Sequence, residues 1–427
     1  MVSRVLLIAL AVFAGCDKPD HDNIEKWTHT QKGPEKLRQT LASETIDADL
    51  SAHAAANLIR HGEDRDVKTA FEAMSAPRRS DVVTKLAPRL WQIARVENEH
   101  ELPGAPQVAA KDALVMIRPW ADAAGRAQID NYLIDWYCVA SFEDRAKSGG
   151  ILGPAVMRQV GPPAARKLIP VLDGVIAAPG QDQRKNRIGD NLLHGLAATG
   201  SPDAVKYLLD LTKLERGDTT LPTRSIAALY ESYVDPAGAF APADPQALVP
   251  HMAAIVDIAK DDRQSARVAN DAVGLIRALP APQCLPPLVS MVGAPHKNPD
   301  FKFVVANNAL KCGGTKAILD VVRALPDAGT YRETQLTREI SGEIARMTPR
   351  DQAAAAARAL LGEKSTIARW VGIEALAAMK STEDAGAIAA LGSSHERLAG
   401  YWGEEAGKPD PTLGERAKEL AATLGAR

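Results

Sequence analysis

Nine histidines, four cysteines and 53 acidic residues are spread along this 427-residue chain, and few of them stand at spacings that chemistry needs. His53 and His61 are eight residues apart, which on a helix brings both near one face but about 12 Å apart along the axis. That is too far to share a metal ion. Asn98-Glu-His-Glu101 is a polar cluster ahead of Pro103 and reads as a solvated loop. Lys311-Cys-Gly-Gly-Thr-Lys316 sets a glycine pair beside Thr and Lys but lacks the Gly-x4-Gly-Lys-Ser/Thr spacing that wraps a phosphate, so it reads as an ordinary turn. No His-Glu-x-x-His, Gly-x-Ser-x-Gly or Ser-x-x-Lys occurs, and no Cys/His spacing suits zinc. Residues 90–150 hold Glu99, His100, Glu101, Asp135 and Tyr137. They would serve a hydrolase or lyase only if His100 and a carboxylate converge in one pocket. Hydrogen-bonding capacity is better represented. Three polar pairs, Asp190 and Asn191, Asn270 and Asp271, and Asn307 and Asn308, interrupt otherwise apolar segments. Trp120, Trp136 and Tyr137 offer an aromatic anchor for an interface, or core rings, which is the commoner fate at helical spacing.

The elements that carry these residues follow from composition and period. Hydrophobic residues make up 46% of the chain and charged residues 24%, the balance of a folded domain. Aromatics are only 4%, so a core must come from many small aliphatic contacts, which favours packed helices. A formal net charge of −2 gives no basic stripe for a phosphate backbone, and nucleic acid is not expected as a partner.

Internal similarity runs from about residue 55 to 390. Leu196-Ala-Ala-Thr-Gly200-Ser-Pro-Asp-Ala204 aligns with Ile276-Arg-Ala-Leu-Pro280-Ala-Pro-Gln-Cys284, Leu310-Lys-Cys-Gly-Gly314-Thr-Lys-Ala-Ile318 and Leu376-Ala-Ala-Met-Lys380-Ser-Thr-Glu-Asp384. A weaker copy is Ile344-Ala-Arg-Met-Thr348-Pro-Arg-Asp-Gln352. The anchors 276, 310, 344 and 376 are 34, 34 and 32 residues apart, a repeat-protein period. Upstream, Met157 and Leu58 open earlier copies, and the long interval from 196 to 276 has room for a degenerate copy near residues 225–234 with a loop insertion at 235–245. Each unit reads as two helices. Apolar residues at i, i+3, i+4 and i+7 fill 267–279, 303–312 and 368–379 before the turn, and 285–292, 317–325 and 385–391 after it. Gly, Ser, Thr, Pro and Asp between them stop one helix and cap the next. One such pair cannot bury its own apolar stripe, so pairs must stack.

The segments Val268-Ala-Asn-Asp-Ala-Val-Gly-Leu-Ile276, Val304-Val-Ala-Asn-Asn-Ala-Leu310 and Trp370-Val-Gly-Ile-Glu-Ala-Leu376 resemble bacterial HEAT repeats. The likeness covers residues 150–392 well and 40–150 poorly. Tetratricopeptide repeats share the period, but their Trp, Gly-Tyr and Phe marks do not recur in phase. The resemblance implies an all-α fold, an α-solenoid of stacked HEAT-like helix pairs, over 38–398, with residues 399–427 capping its last apolar edge. It also implies that the pre-turn helices line a concave surface, where Asp190, Asn191, Asn270, Asp271, Asn307 and Asn308 could grip an extended protein or peptide. The competing reading is that these residues bond nearby backbone, which is how buried amides are generally satisfied.

The amino terminus carries a different signal. Arg4 precedes an uncharged apolar run of ten residues, 5–14, too short to span a bilayer, and small residues follow. Phe13-Ala14-Gly15-Cys16 resembles the lipobox of bacterial lipoproteins, with Phe13 where Leu is usual. That resemblance implies a signal peptide over 1–15, cleavage before Cys16, lipid on Cys16, and a lipidated tether over 16–37 holding the domain on an envelope membrane, facing the periplasm. Asp17 implies inner-membrane retention under one bacterial sorting rule, a rule that differs among bacteria, so inner and outer membrane both stay open. Two or three acyl chains at about 0.8 kcal/mol per methylene anchor a domain durably. With Cys16 lipidated, Cys138, Cys284 and Cys312 remain, an odd number. Cys284 and Cys312 could pair across neighbouring helices, but Cys in apolar helical patterns is usually a small buried hydrophobe, and that reading is preferred. The expected function is a membrane-tethered, non-catalytic scaffold for a protein or peptide partner, without cofactor or metal. An assembly factor or inhibitor capping another lipoprotein is an indistinguishable variant.

Overall fold

The computed structural model describes residues 18–98, 101–177, 188–213, 220–235, 241–326, 330–402 and 407–425. Cys16 lies outside them, as do Glu99, His100 and residues 178–187. Among the described residues there is no β-strand, only one antiparallel bridge between Arg397 and Thr412. No described helix is long and apolar enough to cross a membrane. The chain divides into two compact units, one ending at Ser201 and the other beginning at Pro202.

The first unit carries helices α1 His21–Trp27, α2 Gly33–Ala42, α3 Ala48–Arg60, α4 Asp64–Ala73, α5 Ala76–Ala94, α6 Ala105–Ile117, α7 Ala123–Tyr137, α8 Phe142–Arg145, α9 Gly153–Val160, α10 Pro162–Ala177 and α11 Asp190–Ala198. Helices pack against their neighbours one and two places along the chain, as α3 does with α4 and α5, and α9 with α7 and α11. The second unit repeats this with more regularity. Its helices are α12 Pro202–Thr212, α13 Leu221–Tyr233, α14 Met252–Lys260, α15 Ala266–Arg277, α16 Ala281–Val292, α17 Phe301–Gly313, α18 Ile318–Ala324, α19 Tyr331–Arg346, α20 Arg350–Leu360, α21 Thr366–Ala378, α22 Ala385–Ala389 and α23 Leu413–Gly425. The helices before each turn, α13, α15, α17, α19, α21 and α23, pack in succession as one layer, and α16, α18 and α20 form another. This is the all-α solenoid of stacked HEAT-like helix pairs that the resemblance implies.

Local chemistry sets the helix boundaries. The Ser265 and Ser365 hydroxyls accept from the Val268 and Ala368 amides to start α15 and α21, and Thr330 with Glu333 closes a capping box on α19. Each satisfies amides that a helix start leaves unpaired. The turn at Lys311–Lys316 is indeed a repeat turn, with Gly314 at φ +59°, a conformation glycine adopts without steric cost. Burial follows the helical period: Val268, Ala269, Ala272, Val273 and Ile276 in α15, and Val305, Ala306, Ala309 and Leu310 in α17, are all buried.

Two expectations are corrected. The tether expected over 16–37 is already folded from His21: the Asp20 side chain caps α1 by accepting from the Asn23 amide, and Ile24 and Trp27 are buried. Cys284 and Cys312, read as separate buried thiols, are joined in a disulfide between α16 and α17, with Cα atoms 6.4 Å apart. Successive helices of a stack run close enough to bring two half-cystines 28 residues apart within bonding reach. Cys138 stays free, and burial first, then the nearby Asp135, pushes its thiol up to about 12. Trp136 and Tyr137 are core rings, and Trp120 stacks on Phe71.

Candidate partner-binding face

The pre-turn layer of the second unit presents a strip of polar residues between buried ones. Asn270 and Asp271 fall between the buried pairs 268/269 and 272/273, Asn307 and Asn308 between 305/306 and 309/310, and Arg338 and Glu339 between 336/337 and 340/341. On a 3.6-residue period the three pairs occupy the same side of α15, α17 and α19. The first two pairs are amides and a short carboxylate inside an apolar stripe and stand out in the sequence, whereas Arg338 and Glu339 are long charged residues of the kind any solvated helix face carries.

Most of the expected ladder is bonded within the chain. Asn191 Nδ2 donates to Glu143 Oε1 at 2.7 Å, while Glu143 Oε2 accepts from the Leu192 amide at 3.2 Å, so this carboxylate sits on the start of α11. Gly189 makes room for it, since a Cβ there would collide with the Glu143 carboxylate. Asn308 Nδ2 donates to the Val304 carbonyl of its own helix at 2.8 Å. Asp271 lies 3.8 Å from Arg267 Nε, and burial holds its carboxyl above the usual range despite that partner. Asn270 and Asp190 are exposed. Asp190 and Asn191 belong to the first unit and the other four to the second.

Asn307 is the exception. Its Oδ1 is buried without a hydrogen-bond partner, and so is Nε of Arg338. Both residues line a groove of about 490 Å³ between α17 and α19, with Phe303, Glu339, Glu343 and Arg346 around it. Gly342 keeps its floor open, since a Cβ there would meet nothing nearer than the Arg346 guanidinium at 3.8 Å. Leaving such groups unpaired costs about 1–3 kcal/mol each. Both side chains are partly exposed although Asn307 Oδ1 and Arg338 Nε are themselves buried, so a small turn of each would present an acceptor and a donor to one peptide unit, which carries the complementary N–H and C=O.

The carboxyl-terminal segment closes one end of this strip. Tyr401 places its ring 3.9 Å from the Arg338 guanidinium and also faces Arg416 of α23, which bonds Glu374 of α21 at 2.7 Å and 3.1 Å. The segment is held by Thr334 Oγ1 donating to the Ala399 carbonyl at 2.9 Å and by the Asp410 carboxylate accepting from the Gly400 and Trp402 amides. Trp402, 42% exposed, stands edge-on to Tyr401.

Two further grooves of the second unit lack these unpaired groups: one of about 470 Å³ beside Asp261 and Arg263, and one of about 600 Å³ along α16 and α18. In the region proposed for hydrolytic chemistry, Tyr137 is fully buried, donates to the Ile151 carbonyl at 3.2 Å, and has its phenol pushed above the ordinary range by burial. Asp135 and Glu101 are exposed. Lys111, which no motif flagged, is the region's most unusual group. Its ammonium has no solvent exposure and bonds Asp112 and the Ser148 and Ile151 carbonyls between the rings of Trp136 and Tyr137. Three donors meet three acceptors, which makes it a pin for the connection between α8 and α9. Among the described residues no cluster of three or more His, Cys, Asp or Glu is arranged to hold a metal ion.

No family model matches the chain, and no curated protein does. Solved structures similar to it include an engineered protein, at 13% identity over 95% of this chain and 91% of that one, with a TM-score of 0.24. Kap121p bound to Ste12p is similar at 12% identity over 99% of this chain and 47% of that one, with a TM-score of 0.38. UNC-45 from Drosophila melanogaster is similar at 14% identity, covering 92% and 51%, with a TM-score of 0.25. The chain spans about half the length of these last two proteins. These likenesses concern helical architecture only.

Proposed function

We propose that this chain is a non-catalytic helical-repeat scaffold, tethered by lipid on Cys16 to a bacterial envelope membrane, that binds an extended segment of a protein partner along the pre-turn layer of its second unit. The observation that carries the reading is the groove between α17 and α19, whose lining residues Asn307 and Arg338 each hold a buried polar atom without a partner that a turn of the side chain would bring to an extended backbone. Exposed Trp402 and the stacked Tyr401 stand beside the strip, and aromatic and arginine side chains are the usual anchors of protein interfaces. The disulfide between Cys284 and Cys312 supports an oxidising compartment, a support independent of the lipobox resemblance.

The test is crosslinking and capture from membranes with the anchor intact, beside a Cys16→Ser form. A photo-crosslinker at Glu339 or Arg346 should label a partner that one at Asp203, in α12, does not. Asn307→Ala with Arg338→Ala should weaken capture at least tenfold, while Asn191→Ala with Asn308→Ala, whose amides bond internally, should leave it unchanged. Equal labelling from both crosslinker positions, or undiminished capture by the Asn307 and Arg338 double variant, refutes the site.

A further inference from the structure

His53 faces His21 of α1 rather than His61. The two Nδ1 atoms are 3.0 Å apart, and each ring turns its other nitrogen to a carboxylate. His21 Nε2 lies 3.2 Å from Asp49 Oδ2, and His53 Nε2 lies 3.2 Å from Glu25 Oε2. Ionised carboxylates only accept hydrogen bonds, so both Nε2 atoms carry a proton, and at 3.0 Å at most one Nδ1 atom does. A proton shared by the two rings holds them together at this distance, and it occupies the place between two lone pairs that a divalent ion can take.

The surroundings are built to hold those tautomers. Arg89 donates to both Asp49 oxygens at 2.9 Å, with Lys85 nearby. Asn57 and Arg60 donate to Glu25 at 3.3 Å and 3.4 Å. A carboxylate on the far nitrogen of each ligating imidazole is the common second shell of protein metal sites. Two ligands at about 2.05 Å on a tetrahedral ion stand about 3.3 Å apart, so the rings must part by about 0.3 Å and also turn, because centroids 5.2 Å apart leave the two nitrogens aimed nearly straight at each other. Access is open, since the His21 side chain is 52% exposed.

We propose that His21 and His53 form a two-imidazole site for a borderline divalent transition ion, Zn2+ or Cu2+, which fastens α1 to α3. Such ions favour imidazole nitrogen, and water would complete the shell because Asp49 and Glu25 are committed to the Nε2 atoms. The site is independent of the partner-binding reading, being confined to the first unit.

The experiment titrates the purified full chain with ZnCl2 by calorimetry and with CuCl2 by electron paramagnetic resonance. One tight equivalent of ion is expected, with two nitrogen ligands in the Cu2+ spectrum. His21→Ala and His53→Ala should each weaken it at least tenfold, Asp49→Asn should weaken it several-fold, and His61→Ala should leave it unchanged. His21 is exposed, so its variant should keep the parent circular dichroism. Affinity unchanged in His21→Ala, fewer than two nitrogens on Cu2+, or no saturable equivalent below about 100 µM, which corresponds to about −5.5 kcal/mol, overturns the proposal.

Discussion

Replacing Lys111 by Met tests whether a buried charge holds the middle of the first unit together. Methionine keeps most of the stem volume but takes away three hydrogen bonds. The Ile151 carbonyl would retain the Tyr137 hydroxyl, and Asp112 would retain the Gly150 amide at 2.8 Å along with its own partial exposure. The Ser148 carbonyl loses its ammonium partner, at about 1–3 kcal/mol for a buried acceptor. Loss of the cation between Trp136 and Tyr137 adds about 1–2 kcal/mol, while relief of the ammonium's desolvation offsets part of the total. The expected net loss is about 2–3 kcal/mol. Lys111→Ala, which also leaves a cavity, should lose about 4 kcal/mol. For a unit of this size each kcal/mol lowers Tm by about 2–4 °C, so the methionine variant should melt roughly 4–12 °C lower by calorimetry. Near-ultraviolet circular dichroism from buried Trp136 should report the same transition. Lys147→Ala is the control: its partner Glu143 is one helical turn away and its side chain is 61% exposed, so the cost should stay below about 0.5 kcal/mol. A methionine variant within 0.5 kcal/mol of the parent would show that the pinned connection does not depend on the ammonium.

Further outcomes are specific. Titration of the denatured, unreduced protein lacking residues 1–16 should find one thiol, Cys138, rather than three. Closure of a 28-residue loop corresponds to about 3.6 kcal/mol in the chain-entropy relation, so dithiothreitol or Cys312→Ser should lower the denaturant midpoint of the second unit; equal midpoints would contradict the pairing. The Cys138 thiol, raised to about 12, stays protonated in the fold while an unfolded thiol ionises above about 8.5. The folded chain then holds the extra proton, and stability falls as pH rises from about 9 to 12, by at most about 1.4 kcal/mol per pH unit. Cys138→Ala should flatten that slope in alkaline denaturation, and an unchanged slope would count against the burial argument. Gly400→Ala puts a Cβ into the Thr330 carbonyl at a backbone φ of +72°. It should free the Tyr401–Trp402 segment and red-shift Trp402 emission with little change in global melting; unshifted emission would mean the segment is held otherwise.

How much was legible follows from the range of each interaction. The pre-turn helices at 267–279, 303–312 and 368–379 lie within a residue or two of α15, α17 and α21, because burial of an aliphatic stripe is written at i, i+3 and i+4. Helix α1 escaped notice because seven residues with only Ile24 and Trp27 buried look like a polar linker; Asp20, three residues before Asn23, was the available signal. Lys111 stood inside the apolar run of α6, but lysine is solvated by default and its acceptors lie 37 and 40 residues on. His21 and His53 are 32 residues apart, and no local period links them. Arg338 was hidden for another reason: its unpaired Nε is a property of the packed groove, not of a residue type.

The disulfide between α16 and α17 also bears on how the chain answers mechanical load. A stack of helix pairs drawn from its two ends lengthens as each pair unravels, and each residue released adds about 3.4 Å of contour. The 28-residue step from Cys284 to Cys312 is withheld from that extension while the half-cystines stay 6.4 Å apart at Cα. About 90 Å of slack is therefore stored behind a single covalent bond, and a reducing agent rather than a larger force is what releases it.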